Sequence, residues 1–304
     1  MEKKIKNIRF IINPAAGKVD AVLPIFNSSM KEAGIKWEGS ITHKPGDAIQ
    51  IAKDAIKEGV DALVVYGGDG TLAEAINGLI GSELPLIILP GGSANILAAE
   101  LGIPTDLKEA CALMSRGPLE IKIIDVGQFN KRYFAMGISL GFQSDVVKGA
   151  SRETKNKFGF LAYFFSAFAA VKKTKKCVYH LKIDGQEHEV EGLTCIITNV
   201  GNVGFGNISF DKHIDVSDGL LDVVVVRQVN FSLFKLIIIK LIKSKHTDNF
   251  ELVGHWQGKD VSVSSSPKQT VQCDGEVLEA MPIHIKIIPS AIRVLVPKKD
   301  KVAE

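Results

Sequence analysis

The rhythm of apolar positions changes partway along the chain. Up to about residue 127, short apolar runs alternate with stretches of helical period. The runs Ile8–Ile12, Ala62–Tyr66 and Leu86–Leu89 end in Asn13-Pro14, Gly67-Gly68 and Pro90-Gly91-Gly92, while Gly46–Glu58 and Leu72–Leu79 read as helices. That alternation predicts β-loop-α units around a parallel sheet. From about residue 130 strand patterns dominate, at Tyr133–Leu140, Val178–Asp184, Leu193–Asn199, Leu220–Arg227, Val261–Ser264 and Ile283–Ile288. Their turns, such as Asp184-Gly185, suit antiparallel sheets. Two helices are predicted within this half, at Phe158–Val171 and Ser232–Lys245, and the charged tail Lys298–Glu304 is expected to fray.

Composition narrows the class. The chain has 304 residues, 46% apolar and 23% charged, which suits about two globular domains and excludes a disordered, collagen-like or coiled-coil chain. Its formal charge of +3 is too weak a field to argue for nucleic acid. Cys111, Cys177, Cys195 and Cys273 form no CxxC pair, so they suggest neither a zinc site nor a disulfide framework and suit a reducing cytosol. The basic N-terminus leads into an apolar stretch interrupted by Asn7 and Arg9, which reads as a first core strand rather than an export signal. A helix over Phe158–Val171 would be about 21 Å long, too short for a hydrocarbon core of about 30 Å. A cytoplasmic protein is the expectation.

Candidate chemistry gathers where the first-half strands end, the edge at which open α/β sheets place ligands. Three loops there are built from glycine, small residues and Asn or Asp: Asn13–Lys18, Gly67–Thr71 and Pro90–Asn95. Each leads into a predicted helix, whose free amides and dipole favour an anion. One such loop is ordinary turn chemistry, but three together point to a phosphate-bearing ligand. The common phosphate motifs do not fit. Gly17-Lys18 is followed by Val19 rather than Ser or Thr, and no GxGxxG follows the first strand. Gly137-Ile138-Ser139-Leu140-Gly141 matches a hydrolase pattern but lies in a strand-patterned stretch, without the strand-turn-helix context a nucleophile elbow needs.

Gly67-Gly68-Asp69-Gly70-Thr71, followed by Leu72–Leu79, resembles the signature of the diacylglycerol kinase catalytic domain family, which includes bacterial lipid kinases and the sphingosine and ceramide kinases. Five further segments carry the resemblance: Asn13-Pro14 with Gly17, Pro90–Asn95, Asp125-Val126-Gly127, Asp218–Asp222 and Asp274-Gly275-Glu276. Thr42 also resembles the family threonine that approaches the nucleotide. The resemblance implies a phosphofructokinase- or NAD-kinase-like α/β nucleotide domain over 1–128, a β-rich sandwich for the lipid substrate over 129–289, and an ATP site in the cleft. It also implies a C-terminal segment, about 290–304, that returns to the first domain.

The same resemblance assigns roles. Asp69 would hold the Mg²⁺ that bridges the phosphates of ATP, with the amides of Gly67, Gly68, Gly70 and Thr71 around the phosphate oxygens. Asn13, Thr42, Ser93 and Asn95 would fix the nucleotide, and Asp125 would stand behind the metals. Glu276 would be the general base on a lipid hydroxyl; by its residues alone, Cys273–Glu276 reads as a hairpin turn. A structural Mg²⁺ is implied at Asp218 with the carbonyls of Asp215 and Leu220, a stretch that also reads as a plain Asp-Gly turn.

One departure affects the acceptor. Ile96 follows Asn95 where diacylglycerol-specific members commonly carry Asp, which leaves diacylglycerol and sphingoid-base-like acceptors both open. Lys155, Lys157, Lys172, Lys173, Lys175 and Lys176 flank the aromatic segment Phe158–Val171, and lysines also punctuate Ser232–Lys245. Such segments suit an anionic membrane surface or, equally, packing on the second domain. A sheet edge in the β-rich half would suit a homodimer. Two other readings stay open, an NAD kinase, which shares GGDGT, and a catalytically dead lipid-binding protein. The late Asp-Gly-Glu favours the lipid kinase.

Overall fold

The computed structural model describes residues 5–17, 19–141, 176–202, 214–228, 253–274, 276–278 and 281–298. The chain forms two compact units, one of Met1–Val126 with Pro289–Glu304 and the other of Gly127–Ile288.

The first unit is built on parallel strands. β1 (Asn7–Ile12), β3 (Ala62–Gly67) and β4 (Leu86–Pro90) are almost wholly buried, which is why they read as continuous apolar runs. β2 (Lys36–Ile41) is the more polar edge, and the order is β2-β1-β3-β4. Helices α1 (Val19–Ala33) and α5 (Leu107–Arg116) cover one face. There Phe26, Met30 and Cys111 pack with Phe10, Val64, Tyr66 and Leu89. Helices α2 (Asp47–Glu58) and α3 (Asp69–Leu79) pack together so closely that a Cβ on Gly78 would lie 2.6 Å from the Ile49 carbonyl. α2 begins after Gly46, held at φ 91°, and Glu74 of α3 accepts from the Ala48 amide, standing in for a side-chain cap. α3 begins three residues before the expected Leu72. Gly70 and Thr71 already adopt helical backbone, a start that apolar periodicity cannot register. A short helix, α4 (Ile96–Glu100), follows the third loop.

β5 (Leu119–Phe129) leads out of this unit, and β16 (Ile283–Pro297) leads back into it. The latter half of β16 lies parallel to β4, with Val294 opposite Leu86, so the C-terminal segment does return to the first sheet.

The second unit is an antiparallel sandwich. One sheet runs β9 (Gln186–Gly192), β8 (Cys177–Ile183), β13 (Asp260–Ser266) and the first half of β16. β8 and β9 are joined by Asp184 and Gly185 at φ 48° and 88°, a two-residue turn whose twist matches the strands. The other sheet contains β12 (Val253–Gly258), β11 (Leu221–Val226), β10 (Thr194–Thr198), β7 (Gly137–Leu140), β14 (Val271–Cys273) and β15 (Glu276–Leu278), in that order. Leu181, Ile183, Val261 and Ile285 meet Ile138, Ile197, Val223 and Val271 in one buried cluster, which the strict alternation of β8, β13 and β16 serves.

The expected strand Tyr133–Leu140 is two strands, β6 (Arg132–Phe134) and β7, because Ala135-Met136 carries the chain from the partner of β5 to the other sheet. The expected helices Phe158–Val171 and Ser232–Lys245 lie outside the described residues, as does the tail beyond Lys298. No described helix is long and apolar enough to cross a membrane.

Candidate active site

Parallel pairing brings the three glycine-rich loops to one edge. Ile12 is opposite Tyr66, and Tyr66 is opposite Leu89, so β1, β3 and β4 release their loops side by side. Loop 1 (Asn13–Gly17) is tied to β3 and loop 2 (Gly67–Thr71). The Asn13 amide donates to the Tyr66 carbonyl at 3.0 Å, and Asn13 Nδ2 donates to Thr71 Oγ1 at 2.7 Å. Loop 3 (Pro90–Asn95) is tied to loop 2 through Asp69, whose Oδ2 accepts from the Asn95 amide at 3.1 Å and Oδ1 from the Ile96 amide at 2.8 Å.

The glycines are needed where these loops touch. A Cβ on Gly92 would stand 2.6 Å from Gly68 Cα, and one on Gly67 would stand 2.7 Å from Thr71 Cβ. Within loop 3, Asn95 sits in the left-handed region at φ 49°. Its side chain closes the turn on Gly92, accepting from the amide and donating to the carbonyl, each at 2.9 Å. Asn95 thus serves the loop itself.

What this arrangement leaves over is a row of donors. The first helical bond of α3 runs from Leu72 N–H to the Gly68 carbonyl, so the amides of Gly68, Gly70 and Thr71 have no acceptor one turn back. They open, with the positive end of the helix dipole, toward any anion at this edge. Burial lifts the Asp69 carboxyl above its ordinary value, while the Ile96 and Asn95 amides pull the other way. Its own backbone amide bonds to it as well, and the roughly four lone-pair sites of a carboxylate exceed these three donors. One carboxylate beside an anion cradle fits a hard cation that arrives with phosphates and keeps much of its water, as Mg²⁺ does. Among the described residues no three His, Cys, Asp or Glu side chains gather as a ready-made metal cage.

The other candidates separate by position. Thr42 follows β2 and donates its amide to Ile12 O at 3.0 Å, beside Asn13. Ser93 is exposed at the tip of loop 3. Asp125, 2% exposed, accepts from the Ser290 amide at 2.7 Å and so fastens β16 to the end of β5. In the second unit Asp215 accepts from Ser217, and Asp218 Oδ1 accepts from the Leu220 amide at 2.9 Å. The Asp215 carbonyl accepts from the Asp218 amide at 3.4 Å, and the described geometry adds no support for a structural Mg²⁺ there. Asp274, at φ 44°, pins its hairpin to Gly137, and Glu276 opens β15. Ser139 lies within β7, paired with Ile196 and Gln272, so it forms no nucleophile elbow. Two features escape a reading of the sequence: the Ile96 amide as a partner of Asp69, and Tyr66 beneath loops 1 and 3. The second left a trace, a large aromatic immediately before Gly67-Gly68.

Comparison with known proteins places the fold in a family. The family model of the diacylglycerol kinase catalytic domain matches residues 7–149, and that of the YegS C-terminal NAD kinase beta sandwich-like domain matches 137–296. A diacylglycerol kinase of Staphylococcus carnosus is 28% identical over 98% of this chain and 98% of its own. One of Bacillus subtilis is 26% identical over 97% of this chain and 98% of its own. The solved structure of a diacylglycerol kinase from Bacillus anthracis superimposes with a TM-score of 0.79 at 26% identity, over 97% of this chain and 98% of the other.

Proposed function

The chain belongs to the family of lipid kinases built on the diacylglycerol kinase catalytic domain, and from that premise we propose that it transfers the γ-phosphate of ATP to a hydroxyl of diacylglycerol or a closely related lipid. The observation that carries the reading is the locked trio of loops, with free amides at the start of α3 and Asp69 held between loops 2 and 3.

Phosphoryl transfer asks mainly for positioning and charge neutralisation. The amides of Gly68, Gly70 and Thr71 would hold phosphate oxygens, and Asn13 fixes the loop that faces them. Thr42 and Ser93 supply hydroxyls at the same edge for the rest of the nucleotide. Mg²⁺ bound to the phosphates supplies further neutralisation, and Asp69 is the carboxylate that would take part in holding it. Glu276 is the proposed general base. It takes the proton of the acceptor hydroxyl as that oxygen bonds to the γ-phosphorus and the bond to the leaving ADP oxygen breaks. Asp125 fastens β16 to β5 through Ser290. The lysine-flanked segments around Phe158–Val171 and Ser232–Lys245 have sequences suited to meeting the substrate at an anionic membrane surface. With Ile96 after Asn95, the acceptor is best named by assay.

The test is transfer of label from Mg-[γ-³²P]ATP into an extracted lipid pool in mixed micelles, with NAD⁺ assayed in parallel and products separated by chromatography. Labelled phospholipid is expected, and Asp69→Ala should abolish it while thermal unfolding stays cooperative. Labelled NADP⁺ without phospholipid, or full turnover by the Asp69 variant, would overturn the reading.

A further inference from the structure

Tyr66 is the last residue of β3 before Gly67, 3% exposed, on the face that α1 and α5 cover. Its ring stands against two loops at once. A Cβ on Gly17 would lie 2.5 Å from Tyr66 Oη, and one on Gly91 would lie 3.0 Å from both Cε2 and Cζ. The same added atom on Gly17 would be 3.0 Å from the Gly91 carbonyl, so loops 1 and 3 meet over the tip of the tyrosine. Polar contacts hold loop 1 to loop 2 (Asn13 to Thr71) and loop 2 to loop 3 (Asp69 to Asn95 and Ile96). Loop 1 and loop 3, the remaining side of the triangle, both pack against Tyr66. Both loops surround the amides at the start of α3, so their spacing sets the width of the anion cradle.

We propose that Tyr66 is a positioning residue for nucleotide binding, a spacer whose ring and hydroxyl fix the separation of Asn13–Gly17 from Pro90–Asn95. The inference rests on the reading that these loops hold the phosphates of a nucleotide. It assigns Tyr66 no contact with the substrate.

The experiment uses the full chain with Tyr66→Leu and Tyr66→Phe, each read three ways: KM and kcat for Mg-ATP, thermal midpoint, and amide hydrogen exchange without nucleotide. Tyr66→Leu should raise KM about tenfold with kcat within about twofold, since misplaced loops lose binding geometry first. Exchange should rise in residues 13–17 and 90–95 while the strand amides of β1 and β3 keep their protection. Tyr66→Phe should do less of each. A size exchange adds a check. Gly91→Ala collides with the ring, so it should weaken binding more in the wild-type chain than in the Tyr66→Leu variant. A merely structural tyrosine would lower the midpoint and leave KM unmoved, and that result overturns the proposal. So does unchanged exchange in both loops. A wild-type chain that binds no Mg-ATP would instead overturn the functional reading, and the exchange comparison would still decide whether Tyr66 sets the loop spacing.

Discussion

Gly92→Ala is the smallest change that should break the candidate site, and its effect can be worked out from the loop geometry. The new methyl carbon would stand 2.6 Å from Gly68 Cα and 2.9 Å from Asn95 Oδ1. Carbon atoms rest at about 3.5–4.0 Å, so loops 2 and 3 must part by about 1 Å. Gly92 is absent from the positive-φ glycines, so the collision alone carries the argument. Parting the loops stretches the Asp69 bonds to Ile96 and Asn95, now 2.8 and 3.1 Å, beyond hydrogen-bond reach. Overpacking of this kind costs about 1–3 kcal/mol, and the bonds to a carboxylate are worth about 1.5–3 kcal/mol each, so the cheaper relaxation should settle near the lower figures. A loss of that size lowers the thermal midpoint by several degrees without unfolding the chain at 25 °C. Displacement by about 1 Å at a phosphate cradle should cost about a hundredfold in kcat/KM for Mg-ATP. The assay is steady-state kinetics beside thermal denaturation. Gly81→Asn is the control, because Gly81 lies before β4 at the opposite edge, has φ 79° and has nothing within 4 Å. Wild-type kcat/KM in Gly92→Ala would refute the claim that close approach of loops 2 and 3 builds the site.

Three other variants probe separate links. Glu276→Gln should lower kcat at least about a hundredfold while Mg-ADP affinity by calorimetry stays put; equal turnover would remove Glu276 from the base role. Asp125→Ala removes the carboxylate that accepts from the Ser290 amide at 2.7 Å; because Ser290 is exposed and water can take over its amide, the loss should be about 1 kcal/mol in a denaturant melt, whereas an unchanged midpoint would show that β16 is fastened elsewhere. Asp260 carries the pH test. Burial alone would raise its carboxyl, but hydrogen bonds from His284 and Lys286 outweigh that and hold it below its ordinary value. Stability from a lowered carboxyl is present above the unfolded value, about 3.9, and is lost as pH falls through the folded one. Asp260→Asn should therefore lower the melting temperature at pH 6 and scarcely change it well below pH 3.9, and an equal loss at both would contradict the assignment.

What the sequence made legible, and what it hid, divides by range. Strand ends at Ile12, Tyr66 and Leu89 could be read because a parallel strand buried on both faces is a continuous apolar run, and the loops after them because glycine marks where backbones must pass closely. The Asp184-Gly185 hairpin could be read for a similar local reason. The bond from Asp69 to the amides of Asn95 and Ile96 could not, since it joins residues 26 and 27 apart through backbone donors that every residue possesses. Nor, without the family resemblance that implied the return, could the double life of β16, whose alternation over Ile283–Ile287 serves one unit and whose Val294 serves the other. Ile96 shows the limit most clearly. As a side chain it departs from the family pattern and raises the question of the acceptor, yet its amide is one of the two donors that hold Asp69 in place. The backbone can therefore keep the proposed nucleotide end of the site intact while the side chain at the same position changes. Drift in acceptor preference is then physically separable from retention of phosphoryl transfer. A substitution of Ile96 that spares its amide, such as Ile96→Asp, should alter which lipid is phosphorylated more than it alters KM for ATP, and the converse result would tie position 96 to the nucleotide instead.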